Sequence, residues 1–223
     1  SVAGGDVAIV GLGPVGAALA LMLARAGLSV RIVERETAIH PLPRAIHLDG
    51  EVMRVLLGLG LREPLAQVTR PGLKGMHFVD DQDRLLMLRA GTAALGPHGC
   101  ANNHYFHQPD LEAVLRAALA QQPSVTTHLG TELTSLVAEP QAVALQVSPV
   151  DGSAPFTLRA RYVVGCDGAR SRLRAEIGSR LEDLDSHQAW LVFDAILRHD
   201  VGLPDYTVQH CDPRRPMTSC YVT

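Results

Sequence analysis

The chain has no basic tract, no CxxC pair, no apolar run long enough to cross a membrane, and no internal repeat or low-complexity segment. Each absence removes a class of function. With a net charge of −3 and the paired arginines Arg214 and Arg215 isolated, charge offers nothing to nucleic acid or to an anionic membrane surface. The apolar stretch Pro14 to Ala24 falls short of the ~20 residues of a membrane span, and it follows a strand rather than a basic leader. The four cysteines, Cys100, Cys166, Cys211 and Cys220, are scattered, as in a reduced cytoplasmic protein without disulfides. Cys100, His104 and His107 come nearest to a zinc pattern, but no clear fourth ligand accompanies them. They read as polar loop residues, and no metal is expected. A length of 223 residues suffices for one large core, or one complete domain and part of another.

What is present begins at the first strand. Asp6 to Val10 is followed by Gly11-Leu12-Gly13-Pro14-Val15-Gly16, a GxGxxG run that opens a helical pattern over Pro14 to Ala26. Gly11 permits the tight turn, Gly13 lets backbone N–H groups approach a pyrophosphate, and Gly16 lets the helix lie close to the strand. The helix N-terminus turns its partial positive charge toward the phosphates. A second strand, Leu28 to Val33, ends at Glu34, 18 residues past Gly16, where a carboxylate can accept from both hydroxyls of an adenosine ribose. That acid repels a 2′-phosphate, so the resident cofactor is NAD or FAD rather than NADP.

Further along, Asp49 is a candidate N-cap for a helix through Val52, Val55, Leu56 and Leu59. Lys74 to Val79 and Arg84 to Leu88 predict a hairpin around the Asp80–Asp83 turn. Gln108-Pro109-Asp110 starts a helix with one apolar face until Pro123. Val125 to His128 and Glu132 to Val137 read as strands, and the alternation at Val143, Leu145 and Val147 adds another. Phe156 to Arg161 completes a meander. Tyr162 to Cys166 is read as a separate apolar strand ending at Asp167-Gly168, a second point where a strand edge can meet a ligand. His187 to Arg198, Tyr206 to Cys211 and Met217 to Val222 follow as long strands, and a last strand running on to Thr223 suggests part of a longer protein. The pattern predicts an α/β, Rossmann-like domain with an antiparallel β-meander crossover.

Four separated elements together resemble the FAD-dependent aromatic hydroxylases, the single-component flavoprotein monooxygenases. They are the glycine turn with Glu34-Arg35, Pro43-Arg44-Ala45, Gln108 ahead of Pro109-Asp110-Leu111, and Asp167-Gly168-Ala169-Arg170-Ser171-Arg172-Leu173-Arg174, which fits a DGxxSxxR pattern. Pro43-Arg44-Ala45-Ile46 and His210-Cys211-Asp212-Pro213-Arg214-Arg215-Pro216 are similar to the 3-(3-hydroxyphenyl)propionate hydroxylase branch. The resemblance spans essentially the whole chain but about half of a family member, without the later GD motif. It implies an FAD-binding domain at residues 1–71 and 106–180, and a partial β-rich substrate domain at 72–105 and 181–223.

The same resemblance implies cofactor contacts from Gly11, Gly13, Pro14, Val15, Gly16, Glu34, Arg35, Arg44, Gln108, Asp167 and Gly168. Arg44 reaches the FAD pyrophosphate and Gln108 lies near the flavin, although Gln108 also reads as a helix cap, and Ser171 and Arg174 as capping residues of the next helix. The implied reaction uses NADH or NADPH and molecular oxygen to hydroxylate a phenolic aromatic acid through a flavin C4a-hydroperoxide. No side chain is assigned as a catalytic acid or base. Trp190, Tyr206 and Tyr221 are candidate substrate-lining residues, and a homodimer is compatible with the family. An NAD-binding dehydrogenase without flavin and a non-catalytic nucleotide-binding fragment remain as other readings. Squalene-type epoxidases and polyketide-tailoring hydroxylases share much of the motif set.

Overall fold

The computed structural model describes residues 4–91 and 95–222. Residues 92–94, within the stretch assigned above to a substrate domain, and Thr223, at the end of the last expected strand, lie outside the described residues. In chain order the elements are β1 (Gly5–Val10), α1 (Pro14–Arg25), β2 (Val30–Val33), β3 (His47–Asp49), α2 (Gly50–Gly58), α3 (Arg62–Val68), β4 (Thr69–Pro71), β5 (Met76–Val79), β6 (Leu85–Arg89) and β7 (Asn103–Phe106). They continue with α4 (Gln108–Leu119), β8 (Val125–His128), β9 (Thr131–Ala138), β10 (Val143–Pro149), β11 (Phe156–Gly165), α5 (Arg172–Glu176), β12 (Thr207–His210) and β13 (Met217–Ser219). Two compact units divide the chain, one from residues 1–41 and 112–190, the other from 42–111 and 191–223.

The first unit is built on a six-stranded sheet in the order β8-β2-β1-β11-β10-β9. β8, β2, β1 and β11 run parallel, and β11, β10 and β9 form an antiparallel meander. This is the expected α/β architecture. Ala8, Val10, Val33, Leu145, Val147 and Ala160 lie within one buried cluster with Leu173 of α5, and each full burial of a Val or Leu contributes about 1.5–3 kcal/mol. α1 presents Gly16, Ala17, Ala20, Leu21 and Ala24 as its buried face, and side chains that small let it lie close.

One expected break does not exist. Phe156 to Gly165 is a single ten-residue strand, not a meander strand followed by a second one. Its first half pairs antiparallel with β10 and its second half parallel with β1, with Ala160 opposite both Val143 and Gly5. The shift from alternating to apolar residues at Arg161 and Tyr162 therefore records a change of neighbour, not a turn of the chain.

The second unit holds a three-stranded sheet, β3-β7-β4, and a four-stranded one, β13-β12-β5-β6. Asp49 caps α2 as its sequence suggests, accepting the Val52 N–H at 2.8 Å. The β5–β6 hairpin forms as expected, and the Asp80 carboxylate shapes its turn by accepting the N–H groups of Gln82 and Arg84, both at 2.9 Å.

The strand expected at His187 to Arg198 is absent. The stretch is irregular, with Trp190 73% and Ile196 96% exposed. A strand needs a neighbour for its backbone groups, and none of the described strands pairs with it. His104 and Cys100 also differ from the loop reading. Both are buried, His104 inside β7, where Nδ1 has no partner among the described residues and burial pushes its pKa below the ordinary histidine value, helped by nearby His47.

Candidate functional site

Within the first unit, β1 and β11 are parallel neighbours whose carboxyl ends, Val10 and Gly165, lie side by side. Parallel sheets of this kind bind ligands beyond that edge. Two turns arise there, the glycine loop after β1 and the Asp167 turn after β11. They are packed tightly together: Gly11 has φ +103°, and a Cβ on it would meet the Cys166 carbonyl oxygen at 2.3 Å. A Cβ on Gly16 would meet the Gly11 carbonyl oxygen at 2.1 Å, so helix, loop and strand can approach only through glycine. Gly13 differs, because a Cβ there would meet nothing within 4 Å. The open side of the loop is at Gly13, where Pro14 starts α1 and leaves first-turn amides without intrahelical acceptors.

The Glu34 carboxylate is pinned at this loop. Oε2 accepts the Leu12 N–H at 2.6 Å and Oε1 accepts the Glu36 N–H at 2.8 Å. Each oxygen keeps a second lone pair, so a ribose hydroxyl can still donate to it. Arg35 pairs with Glu36 at 3.0 Å on the exposed surface.

The Asp167 turn is closed on itself. Oδ1 accepts from the Ser171 hydroxyl at 2.6 Å and Oδ2 from the Leu173 N–H at 3.1 Å. Ser171 in turn caps α5 by accepting the Arg174 N–H at 3.0 Å, and Arg174 donates to the Ala169 carbonyl. Ser171 thus serves as the cap of α5, and Arg174, inside the helix, supplies the capped N–H and ties back to the turn. Burial opposes charge on Asp167, but the hydrogen bonds from Ser171 and Leu173 outweigh it and hold the pKa below the usual carboxylate value. Gly168, at φ +77°, has open space where a Cβ would point. Burial, and then the charge of Asp167, push the Cys166 thiol up, which keeps it protonated and unreactive.

In the second unit, Gln108 is 6% exposed and its Oε1 accepts two backbone N–H groups, from Arg44 at 3.0 Å and Ala45 at 2.9 Å. This amide fastens the Arg44 loop, a task that neither sequence reading of Gln108 included. The Arg44 side chain is exposed and makes no ion pair among the described residues, so its guanidinium is available to an anion. Tyr206 stacks on His77 with ring centroids 4.0 Å apart, and the Tyr221 carbonyl accepts from Arg70 at 2.8 Å. Glu112 and Arg116 of α4, a spaced i,i+4 pair on the helix that Gln108 starts, were not singled out in the sequence although that spacing marks them.

The glycine-only turn, the pinned acid at the end of β2 and the Asp167 turn after β11 define a dinucleotide-binding fold. The chain belongs to the family described as FAD binding domain, whose family model matches residues 5–217. A protein of Rhodococcus jostii named "Probable NADH-specific resorcinol 4-hydroxylase" is 38% identical over 214 residues, 95% of this chain and 40% of that protein. A 3-(3-hydroxy-phenyl)propionate/3-hydroxycinnamic acid hydroxylase of Burkholderia cenocepacia is 34% identical over 217 residues, 97% of this chain and 39% of the relative. Among solved structures, p-nitrophenol 4-monooxygenase PnpA from Pseudomonas putida superimposes with a TM-score of 0.70 at 26% identity, covering 78% of this chain and 43% of that one. The flavin-dependent monooxygenase PieE, solved with FAD and substrate, gives 0.70 at 25% identity, covering 78% and 32%. The chain thus spans about 40% of the length of these curated relatives.

The residues present fit FAD. Glycine is sterically required at Gly11 and Gly16, and space is left open at Gly13 and Gly168. An acid stands where the adenosine ribose is expected, and no helix among the described residues is long and apolar enough to cross a membrane.

Proposed function

We propose that the protein is a flavoprotein monooxygenase that uses FAD, NADH or NADPH and molecular oxygen to hydroxylate a small phenolic compound such as resorcinol or a 3-hydroxyphenyl acid. The observation that carries the reading is the coincidence at one sheet edge of the glycine-only loop, the fixed Glu34 carboxylate and the Asp167-Gly168 turn. The relatives named for phenol hydroxylation support the substrate class.

In this reading the backbone amides at the start of α1 face the pyrophosphate, and Glu34 accepts from the adenosine ribose. Arg44, with its backbone fastened by Gln108, supplies a second positive group for phosphate oxygens. Asp167, ionised at neutral pH, accepts from hydroxyls or an ordered water beside Gly168. FAD, when bound, supplies the electron transfer and oxygen activation that no protein side chain can perform. The β13-β12-β5-β6 sheet is assigned to the substrate side, with Tyr206 and Tyr221 as lining candidates. Four free thiols suit a cytoplasmic setting.

The test is nicotinamide oxidation and oxygen uptake by the purified protein with and without resorcinol or 3-(3-hydroxyphenyl)propionate, followed by product analysis. Substrate-stimulated oxidation with a hydroxylated product supports the reading. Bound FAD without stimulation by any phenol would overturn the substrate assignment. Nicotinamide-dependent dehydrogenation without flavin would overturn the flavoprotein assignment.

A further inference from the structure

Leu12 is held on both sides of its backbone, alone in the glycine loop among the described residues. Its N–H is taken by Glu34 Oε2 at 2.6 Å, and its carbonyl accepts from Arg116 Nη2 at 3.4 Å, a group delivered by α4. Arg116 also faces Glu112 Oε2 at 3.7 Å, and the two side chains are only 18% and 4% exposed. The Arg116 Nε–H is buried without a partner among the described residues. An ion pair that is desolvated, longer than a hydrogen bond and incompletely satisfied is a poor source of stability. Its position against the loop requires another account.

That account lies in helix geometry. The first α-helical bond of α1 runs from the Ala17 N–H to the Gly13 carbonyl at 2.9 Å. Had the helix begun one residue earlier, the Gly16 N–H would close on the Leu12 carbonyl. The Leu12 carbonyl is instead turned to Arg116, and the Val15 and Gly16 N–H groups find no acceptor among the described residues. These are the donors that an anion at the start of α1 uses.

Resting on the FAD reading, we propose that Arg116, held by Glu112, is a positioning residue that draws the Leu12 carbonyl out of α1 and so reserves the first-turn amides for the diphosphate of the dinucleotide. Arg116 acts through Leu12, not by touching the adenosine half of the ligand. Its effect therefore falls on ligands that carry a diphosphate.

The test titrates flavin-free protein with ADP and with adenosine by calorimetry, and with FAD by quenching of flavin fluorescence. Wild type is compared with Arg116→Met, Arg116→Lys and the double variant Glu112→Gln/Arg116→Met, which leaves no buried carboxylate without its cation. The melting temperature of each unliganded variant is recorded alongside. The expected result is roughly tenfold weaker binding of ADP and FAD to Arg116→Met and to the double variant, as for a lost charge-assisted hydrogen bond. Adenosine affinity stays within about twofold, and Arg116→Lys recovers most of the loss. Equal weakening of ADP and adenosine, or no recovery by lysine, would make Arg116 a merely structural residue and overturn the proposal. Wild-type binding of ADP and FAD matched by both methionine variants would overturn it alone. A wild-type protein that binds neither would overturn the cofactor reading and this inference with it.

Discussion

Two apolar stretches of this chain have opposite fates. β11 lies hydrogen-bonded between β10 and β1, with Leu158 and Ala160 buried and Val163 and Val164 half-buried, while Tyr162 stays 62% exposed. The stretch through Trp190, Leu191, Val192 and Phe193 is as apolar and exposes all four side chains. Side-chain hydrophobicity alone does not make a strand. A neighbour must first satisfy the backbone, and burial then depends on what covers the face of the sheet. The glycine loop belongs to the first kind of region, because its turns are tied to β1, β2, β11 and α4.

The largest effect that would sharpen this contrast is expected from Gly11→Ala. The new Cβ would sit at a positive φ and meet the Cys166 carbonyl oxygen at 2.3 Å. A loss of about 3 kcal/mol or more is expected in thermal or denaturant unfolding, with flavin retention lost as well. A stable, flavin-replete Gly11→Ala protein would contradict the tight loop.

Next comes Glu34→Gln. An amide offers one acceptor where the carboxylate has two oxygens serving two backbone N–H groups, so its NH2 would face a donor. FAD affinity should fall roughly tenfold in fluorescence titration, in line with ~1–3 kcal/mol for an unmade hydrogen bond. Gln108→Leu should cost about 1–2 kcal/mol in unfolding of the second unit, because the N–H groups of Arg44 and Ala45 lose their shared acceptor. An unchanged unfolding midpoint in that variant would contradict a loop fastened by the Gln108 amide.

A smaller, pH-dependent effect belongs to His104. Burial holds its folded pKa below the ordinary value of 6.5, so the unfolded chain binds the proton more readily. Stability is therefore full above about pH 6.5 and declines as the pH falls below it. His104→Leu should reduce the acid-side slope of unfolding free energy against pH, while His128, shifted the same way by burial, keeps part of it. An identical slope in the variant would contradict a neutral buried His104. The smallest effect is Trp190→Ser, expected within about 0.5 kcal/mol because the ring packs on nothing substantial.

Much of this was legible from residues alone, and the gaps have physical causes. The Asp49 cap was readable because it rests on backbone geometry within one helical turn, and the glycine loop and Glu34 because glycine spacing and an acid after β2 form a recognisable pattern even though their contacts reach Cys166 and Leu12. The unity of β11 was hidden because a change of neighbour looks like a break in a one-dimensional pattern. The strand at His187 to Arg198 was overread because pattern cannot show whether a partner strand exists. Gln108 and Arg116 act across 63 and 104 residues of sequence, on backbone groups that carry no side-chain signature. The i,i+4 spacing of Glu112 and Arg116 was visible, but only the fold reveals that the pair meets Leu12.

The most direct measurement of the central claim is the visible absorption spectrum of the purified protein, with identification of any chromophore released on denaturation, for wild type and Glu34→Ala in parallel. The account predicts an oxidised-flavin spectrum, FAD in the supernatant of the wild type, and a clearly lower flavin content in the variant. A wild-type protein that is colourless and takes up no added FAD, or a Glu34→Ala variant with undiminished flavin, would contradict it.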